Sequence, residues 1–130
     1  MTTCGIWPRP HGLVALLVDH AGHTRSVTIA PTDDARWGLS QRLAATGTDL
    51  VVDAALLEAD AVAPIALRAG VTVWVAGAPL VEALRSAAGV VHRAPRLSAA
   101  LLARLPAIPW LRLQLRRLDT IEDDRQIKLL

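Results

Sequence analysis

Leu13-Val-Ala-Leu-Leu-Val-Asp-His-Ala-Gly-His-Thr-Arg-Ser-Val-Thr-Ile-Ala30 is the stretch on which the fold turns. Leu13 to Asp19 is an apolar run of strand length, fit to be buried on both faces of a sheet. His20-Ala-Gly-His23 then reads as a hairpin turn in which Gly22 takes positive φ, and Thr24 to Ala30 returns as a strand rich in β-branched residues. Upstream, Thr2 to Trp7 is a short strand that Pro8 and Pro10 are expected to stop, since proline cannot donate to a central ladder. Together these three segments predict an antiparallel meander with no helix between residues 8 and 32.

After residue 32 the period changes. Thr32 or Asp33 can cap a helix from about Asp34 to Ala45, with Trp37, Leu39 and Leu43 on its apolar side and Gly47 as its stop. Asp49 to Asp53 reads as a fourth strand. Leu56 to Ala69 reads as a second helix interrupted near Pro64 and closed by Gly70, and Val71 to Ala76 as a fifth strand. Pro79 to Ala88 is a third helix, with proline in its first turn and Gly89 after its end. From Leu97 to Leu105 apolar residues again recur at helical spacing. Strand and helix alternation of this kind requires right-handed crossovers, parallel pairing and helices on both faces. The predicted class is an α/β, ribonuclease H-like fold with a mixed five-stranded sheet, three antiparallel strands preceding the alternating half. A flavodoxin-like domain is the runner-up, and it lacks a helix in residues 8–32 to carry its first crossover.

Composition bounds the function. A chain of 130 residues, 52% of them hydrophobic, is one domain with enough apolar material for a core, divided here into residues 1–105 and a C-terminal basic amphipathic segment and tail, 106–130. Its mean hydropathy is high at +0.36, yet the longest uninterrupted apolar run, Leu13 to Val18, is far below the roughly 18 residues that span a bilayer. The first ten residues lack a charged region followed by an apolar one, and the single Cys4 has no internal partner, so no secretion signal and a reducing cytoplasm are expected. Lys128 is the only lysine among 14 basic residues, but a net charge of +2 is too small to imply a nucleic-acid partner.

The motifs in order resemble the N-terminal RuvC-like domain of the DEDD transposases of bacterial insertion sequences. That family opens with Gly-Ile-Asp at the end of its first strand; this chain has Gly5-Ile6-Trp7. The family's Val-Val-x-Glu-Ala is met by Val51-Val52-Asp53-Ala54, and its Ala-Gly-x-x-Val-x-Val-Val-x-Pro by Ala69-Gly70-Val71-Thr72-Val73-Trp74-Val75-Ala76-Gly77, with Pro79 one place late. Its Gly-x-x-x-Lys-Thr-Asp-x-x-Asp-Ala segment is met by Gly89 to Ala99, which ends His92-Arg93-Ala94-Pro95-Arg96-Leu97-Ser98-Ala99. The resemblance covers residues 5 to about 104, and the family continues into a second catalytic half where this chain stops.

The resemblance implies four acids holding two divalent cations. Carried over by position they are Trp7, Asp53, Pro95 and Ser98, so a single carboxylate remains where several are needed to clamp a phosphodiester between two ions. The expectation is a pseudoenzyme without catalytic residues, metal or cofactor, in which the Trp7 indole fills the vacated cleft and buries apolar area worth roughly 2 to 3 kcal/mol. Three other constellations bear on this. Asp53, Glu58 and Asp60 could form a rebuilt acidic site at a strand's carboxyl end, although acids at 58 and 60 also suit the start of a helix. Arg93, Arg96 and Arg104 could hold a nucleic-acid backbone without cutting it. Asp19, His20 and His23 have ligand chemistry but fall on a hairpin tip.

Trp7, Trp37, Trp74 and Trp110 are the only aromatic residues, and Trp74, in mid-strand, is expected in the core. In the C-terminal segment Leu111, Leu115 and Leu118 are expected to share a helix face, covered either by the chain's own sheet or by a second copy. Four acids between Asp119 and Asp124 offset Arg112, Arg116 and Arg117. The resulting expectation is an inactive transposase-like domain serving as an interaction or regulatory module, forming a homo-oligomer or binding a protein partner through the C-terminal segment.

Overall fold

A computed structural model describes residues 2–54, 57–87, 95–108 and 112–118. The chain opens with β1 (Thr3–Arg9), β2 (Gly12–Val18) and β3 (Thr24–Ile29), an antiparallel meander. There follow α1 (Asp33–Ala45), β4 (Asp49–Asp53), α2 (Leu57–Arg68), β5 (Val73–Ala76), α3 (Ala78–Ala87) and α4 (Pro95–Arg104). A short 3-10 turn, Leu105–Ala107, leads on, and β6 (Arg116–Leu118) closes the described chain. The strands form one sheet in the order β3-β2-β1-β4-β5-β6, with β1, β4 and β5 parallel to one another.

Alternation along the inner strands divides the core into two layers. Cys4 and Ile6 of β1, Leu13 and Ala15 of β2, and Leu50 and Val52 of β4 face α1 and α2, where Leu39, Leu43, Val62 and Ala66 meet them. The intervening residues Trp7, Val14, Leu16, Val18 and Val51 face α4 and its Ala99, Leu102 and Ala103. The apolar run in β2 thus reflects burial on both faces. Its neighbour β3 is exposed or half-buried throughout, as an edge strand is.

Local chemistry sets the boundaries. Thr32 caps α1, its Oγ1 accepting from the Ala35 N–H at 3.2 Å, while Asp33 pairs with Arg36 at 2.8 Å across the first turn. Gly22 adopts positive φ in the hairpin turn as expected, and Gly47 and Gly70, expected as helix stops, do so after α1 and α2. Asp19 builds the β2–β3 turn: its Oδ1 accepts from the Ala21 and His23 N–H groups at 2.9 Å each.

Three expectations are corrected. β1 runs through Pro8 to Arg9; the β1–β4 ladder ends at the Gly5–Val51 pair, so Pro8 lies where one side of the strand has no ladder partner and a missing N–H is tolerated. α2 continues through Pro64, because Val62, Ala63, Ile65 and Ala66 are buried around it and their packing outweighs the lost helical hydrogen bond. The sheet has six strands, not five: Arg116–Leu118, expected on a helix, pairs antiparallel with β5, Leu118 opposite Val73. Edge pairing satisfies backbone groups that β5 would otherwise leave open, and Leu115 and Leu118 are buried against the chain's own core. Among the described residues no helix is long and apolar enough to cross a membrane.

Candidate functional site at the ends of β1 and β4

The parallel pairing of β1 with β4 places the first two of the four predicted site positions side by side. Thr3 faces Asp49, Cys4 faces Leu50 and Gly5 faces Val51, so Trp7 and Asp53, each two residues further on, lie at adjacent strand ends on one face of the sheet. That face is the one covered by α4, which begins at Pro95 and carries Ser98.

Gly5 is what lets α4 come so close. A Cβ at this position would collide with the Ala99 carbonyl oxygen and sit 2.7 Å from the Ala103 nitrogen, so the helix backbone rests directly on the strand. The Thr3 hydroxyl donates to the Ala103 carbonyl and fixes the far end of the same contact. Ala99, Ala100 and Ala103 present small side chains to the sheet, and Leu102 and Leu105 fill the space beside them.

Trp7 is 5% exposed and belongs to this apolar layer, together with Val51, Ala76, Val81 and the alanines of α4. Asp53 is 3% exposed and engaged with its surroundings; the Ala54 N–H after it donates to the Ala76 carbonyl at 3.0 Å, which locks the end of β4 to β5. Ser98 is completely buried, and its Oγ has no hydrogen-bond partner among the described residues. The strand ends therefore hold an indole and one carboxylate on the face covered by α4, and the buried alcohol belongs to that helix. Pro95 starts that helix; its side chain is outside the described set.

The other sequence-derived candidates are dispersed. Glu58 and Asp60 fall in the first turns of α2, and their side chains are outside the described residues. Arg93 also lies outside them, as does the side chain of Arg96. Arg104 is exposed at the end of α4, lining a groove of about 190 Å³ with Thr3, Val18, Asp19 and His20, at the opposite end of β1 from Trp7. At the hairpin tip the Asp19 carboxylate faces His23 Nδ1 at 3.3 Å, and hydrogen bonds from the His23 and Ala21 N–H groups hold its pKa below the ordinary aspartate value. Among the described residues no cluster of three or more His, Cys, Asp or Glu side chains could hold a metal ion. Burial pushes the Cys4 thiol up to about 12, so it stays protonated and unreactive at neutral pH.

Sequence reasoning missed one arrangement. Trp74 is half-buried rather than fully enclosed: its Nε1 donates to Asp49 Oδ2 at 3.1 Å, and the Arg112 guanidinium lies 5.5 Å from its ring centre. The signal was the Val51–Trp74 pairing, which sets Asp49 and Trp74 on one face of adjacent strands; it becomes visible only once the β4–β5 register is known.

No protein-family model matches this chain, and neither does any curated protein. Among solved structures it is similar to RuvC of Thermus thermophilus, at 19% identity and a TM-score of 0.54, over 91% of this chain and 100% of that one. It is also similar to T. thermophilus RuvC in complex with a Holliday junction substrate, at 18% identity and a TM-score of 0.51, with the same coverage. At such identities the likeness is one of fold, and with the strand order and the parallel β1–β4–β5 set it establishes a ribonuclease H-like architecture.

Proposed function

We propose that this chain is a transposase-like member of the RuvC-like group that has lost two-cation chemistry and acts as a self-associating interaction or regulatory module. One observation carries the reading: Trp7, at the strand end beside Asp53, is packed into the apolar layer beneath α4. A pair of divalent ions needs several carboxylate oxygens and a water-filled space for the scissile phosphate. The positions the resemblance assigns to such ligands are Trp7, Asp53, Pro95 and Ser98, and a lone aspartate that is 3% exposed leaves neither ion with more than one protein carboxylate. These residues do not fit the metal pair, so no hydrolytic step is assigned to them.

The test is cleavage of four-way junction, duplex and single-stranded DNA in magnesium or manganese, with Asp53→Ala as control. The expected result is no cleavage above background in either protein. Metal-dependent cutting that Asp53→Ala abolishes overturns the proposal in favour of a site rebuilt around Asp53, Glu58 and Asp60. Salt-sensitive retention of the same DNA without cleavage overturns it in favour of backbone binding through Arg93, Arg96 and Arg104, because phosphate contacts release counterions. Self-association is read separately, as a mass that rises with concentration in light scattering. In the C-terminal segment Leu115 and Leu118 are covered by the chain itself, leaving Leu113, 87% exposed, as its described apolar contribution to any partner.

A further inference from the structure

The two edges of the sheet differ in kind. β6 is three residues long and carries exposed Arg116 and Arg117, two devices that discourage another strand from adding to an edge. β3 has neither. It is six residues long, contains no proline, bears Arg25 as its only charge, and among the described residues no element pairs with its outer side. A row of unpaired N–H and C=O groups about 20 Å long is a template for strand addition.

The side chains specify which strand fits. The β2–β3 register puts Arg25, Val27 and Ile29 opposite Leu17, Ala15 and Leu13, hence on the α1 face of the sheet, and Thr24, Ser26 and Thr28 on the other. On the α1 face Val27 joins Leu17, Leu39 and Leu43 around an apolar groove of about 80 Å³, with Arg25 and Arg42 along it. Immediately after β3 the chain turns to α1, whose first turn presents the exposed acids Asp33 and Asp34 on this same side. A strand carrying one cation near its start and two acids just beyond its end is complementary to itself when run antiparallel.

We infer that β3 is the dimerisation edge, with a second copy of this chain as the occupant: two β3 strands pair antiparallel about a two-fold axis at Val27 and join the sheets of two protomers. This deepens the self-association proposed above and rests on it. With Val27 facing its own copy, Arg25 of one protomer lies opposite Ile29 of the other. Its guanidinium then points toward Asp34 in the first turn of α1 of the second protomer, with Asp33, already paired with Arg36, beside it. The opposite face pairs Ser26 with Thr28, uncharged hydroxyl residues that suit cross-strand contact. Strand pairing alone falls short of the roughly 1,200 Å² of a stable interface, so the two α1 helices, on the same side of the joined sheet, supply the rest.

Cross-linking tests the geometry. Cys4 is the only cysteine and is buried, so a Val27→Cys variant introduces the sole reactive thiol, at a two-fold position where opposed Cα atoms are about 4.5 to 5.5 Å apart, within disulfide reach. On oxidation with copper phenanthroline, Val27→Cys should run as a covalent dimer on a non-reducing gel, while Leu113→Cys, exposed near β6, should remain a monomer. Arg25→Asp should weaken the dimer by roughly tenfold or more in light scattering, by placing like charges together. A wild-type dimer with Val27→Cys uncrosslinked and Arg25→Asp unweakened overturns the β3 edge while leaving self-association intact. A wild-type protein that stays monomeric at all concentrations overturns both.

Discussion

Replacing Trp7 by alanine is the sharpest test of the site as described. The indole is 5% exposed and surrounded by Val51, Ala76, Ala99 and Leu102, so truncation removes nearly its whole apolar surface from the core and leaves a hole beneath α4. The helix cannot settle into that hole, because its backbone already rests on Gly5, with Ala103 N only 2.7 Å from where a Cβ would be. Limited relaxation puts the cost at the usual value for a buried tryptophan, about 3 to 5 kcal/mol. For a domain of 130 residues the unfolding entropy is on the order of 0.27 kcal/mol per degree, so the melting temperature should fall by roughly 10 to 20 °C. Urea titration followed by circular dichroism should show the midpoint shifted with little change in slope. A loss below about 1 kcal/mol would mean that the indole lies in a solvated cleft, and the account of the site as a filled one would fail.

Other substitutions probe the same contact from different sides. Gly5→Ala should destabilise by about 1 to 3 kcal/mol or prevent folding, since its new methyl meets helix backbone atoms that can yield only if α4 lifts; a neutral result in the same titration would refute the close approach. Ser98→Ala should stabilise by about 1 kcal/mol, because it removes a buried hydroxyl without a partner among the described residues and adds helix propensity; a loss of stability would reveal a hydrogen bond that Ser98 does make. Asp19→Asn probes the β2–β3 turn through pH. The folded pKa of Asp19 is depressed, so its contribution is complete above the ordinary aspartate value of about 3.9 and is lost as pH falls through its lower folded value. The stability difference between wild type and Asp19→Asn should shrink as pH falls below about 4; a difference that grows below that pH would contradict the hydrogen-bonded turn.

What could be read from sequence followed the strength of local signals. The two-faced apolar run of Leu13 to Val18 is dictated by a central strand, and it is found buried on both sides. Positive-φ glycines at 22 and 47, and Thr32 as a cap, mark reversals whose chemistry is contained within a few residues. The misses are places where distant packing outweighs local preference. Pro64 breaks a helix in isolation but not one pinned to a sheet by its neighbours. Arg116–Leu118 looks helical by spacing and becomes a strand because β5 has an open edge to fill. At the site, adjacency of Trp7 and Asp53 was legible through motif order, whereas the closeness of α4 over Gly5 depends on a crossing that no local pattern encodes.

Gly5 and Trp7 share a face of one strand, and together they set how closely α4 sits and what fills the layer beneath it. The glycine determines how deeply α4 sits, and that contact is structural whether or not a metal binds further along the strand. A carboxylate at the strand end contributes nothing to such a core and costs desolvation when no cation neutralises it. Exchanging it for an indole replaces that cost with apolar burial worth roughly 2 to 3 kcal/mol. An indole at this position therefore favours stability over metal chemistry, as expected where site acids are held against the stability of the fold. A metal clamp is correspondingly hard to build here. Trp7→Asp alone would give Asp53 one carboxylate neighbour, while Pro95 and Ser98 on α4 would still offer none, so the single substitution should lose the packing without supplying a clamp for two ions.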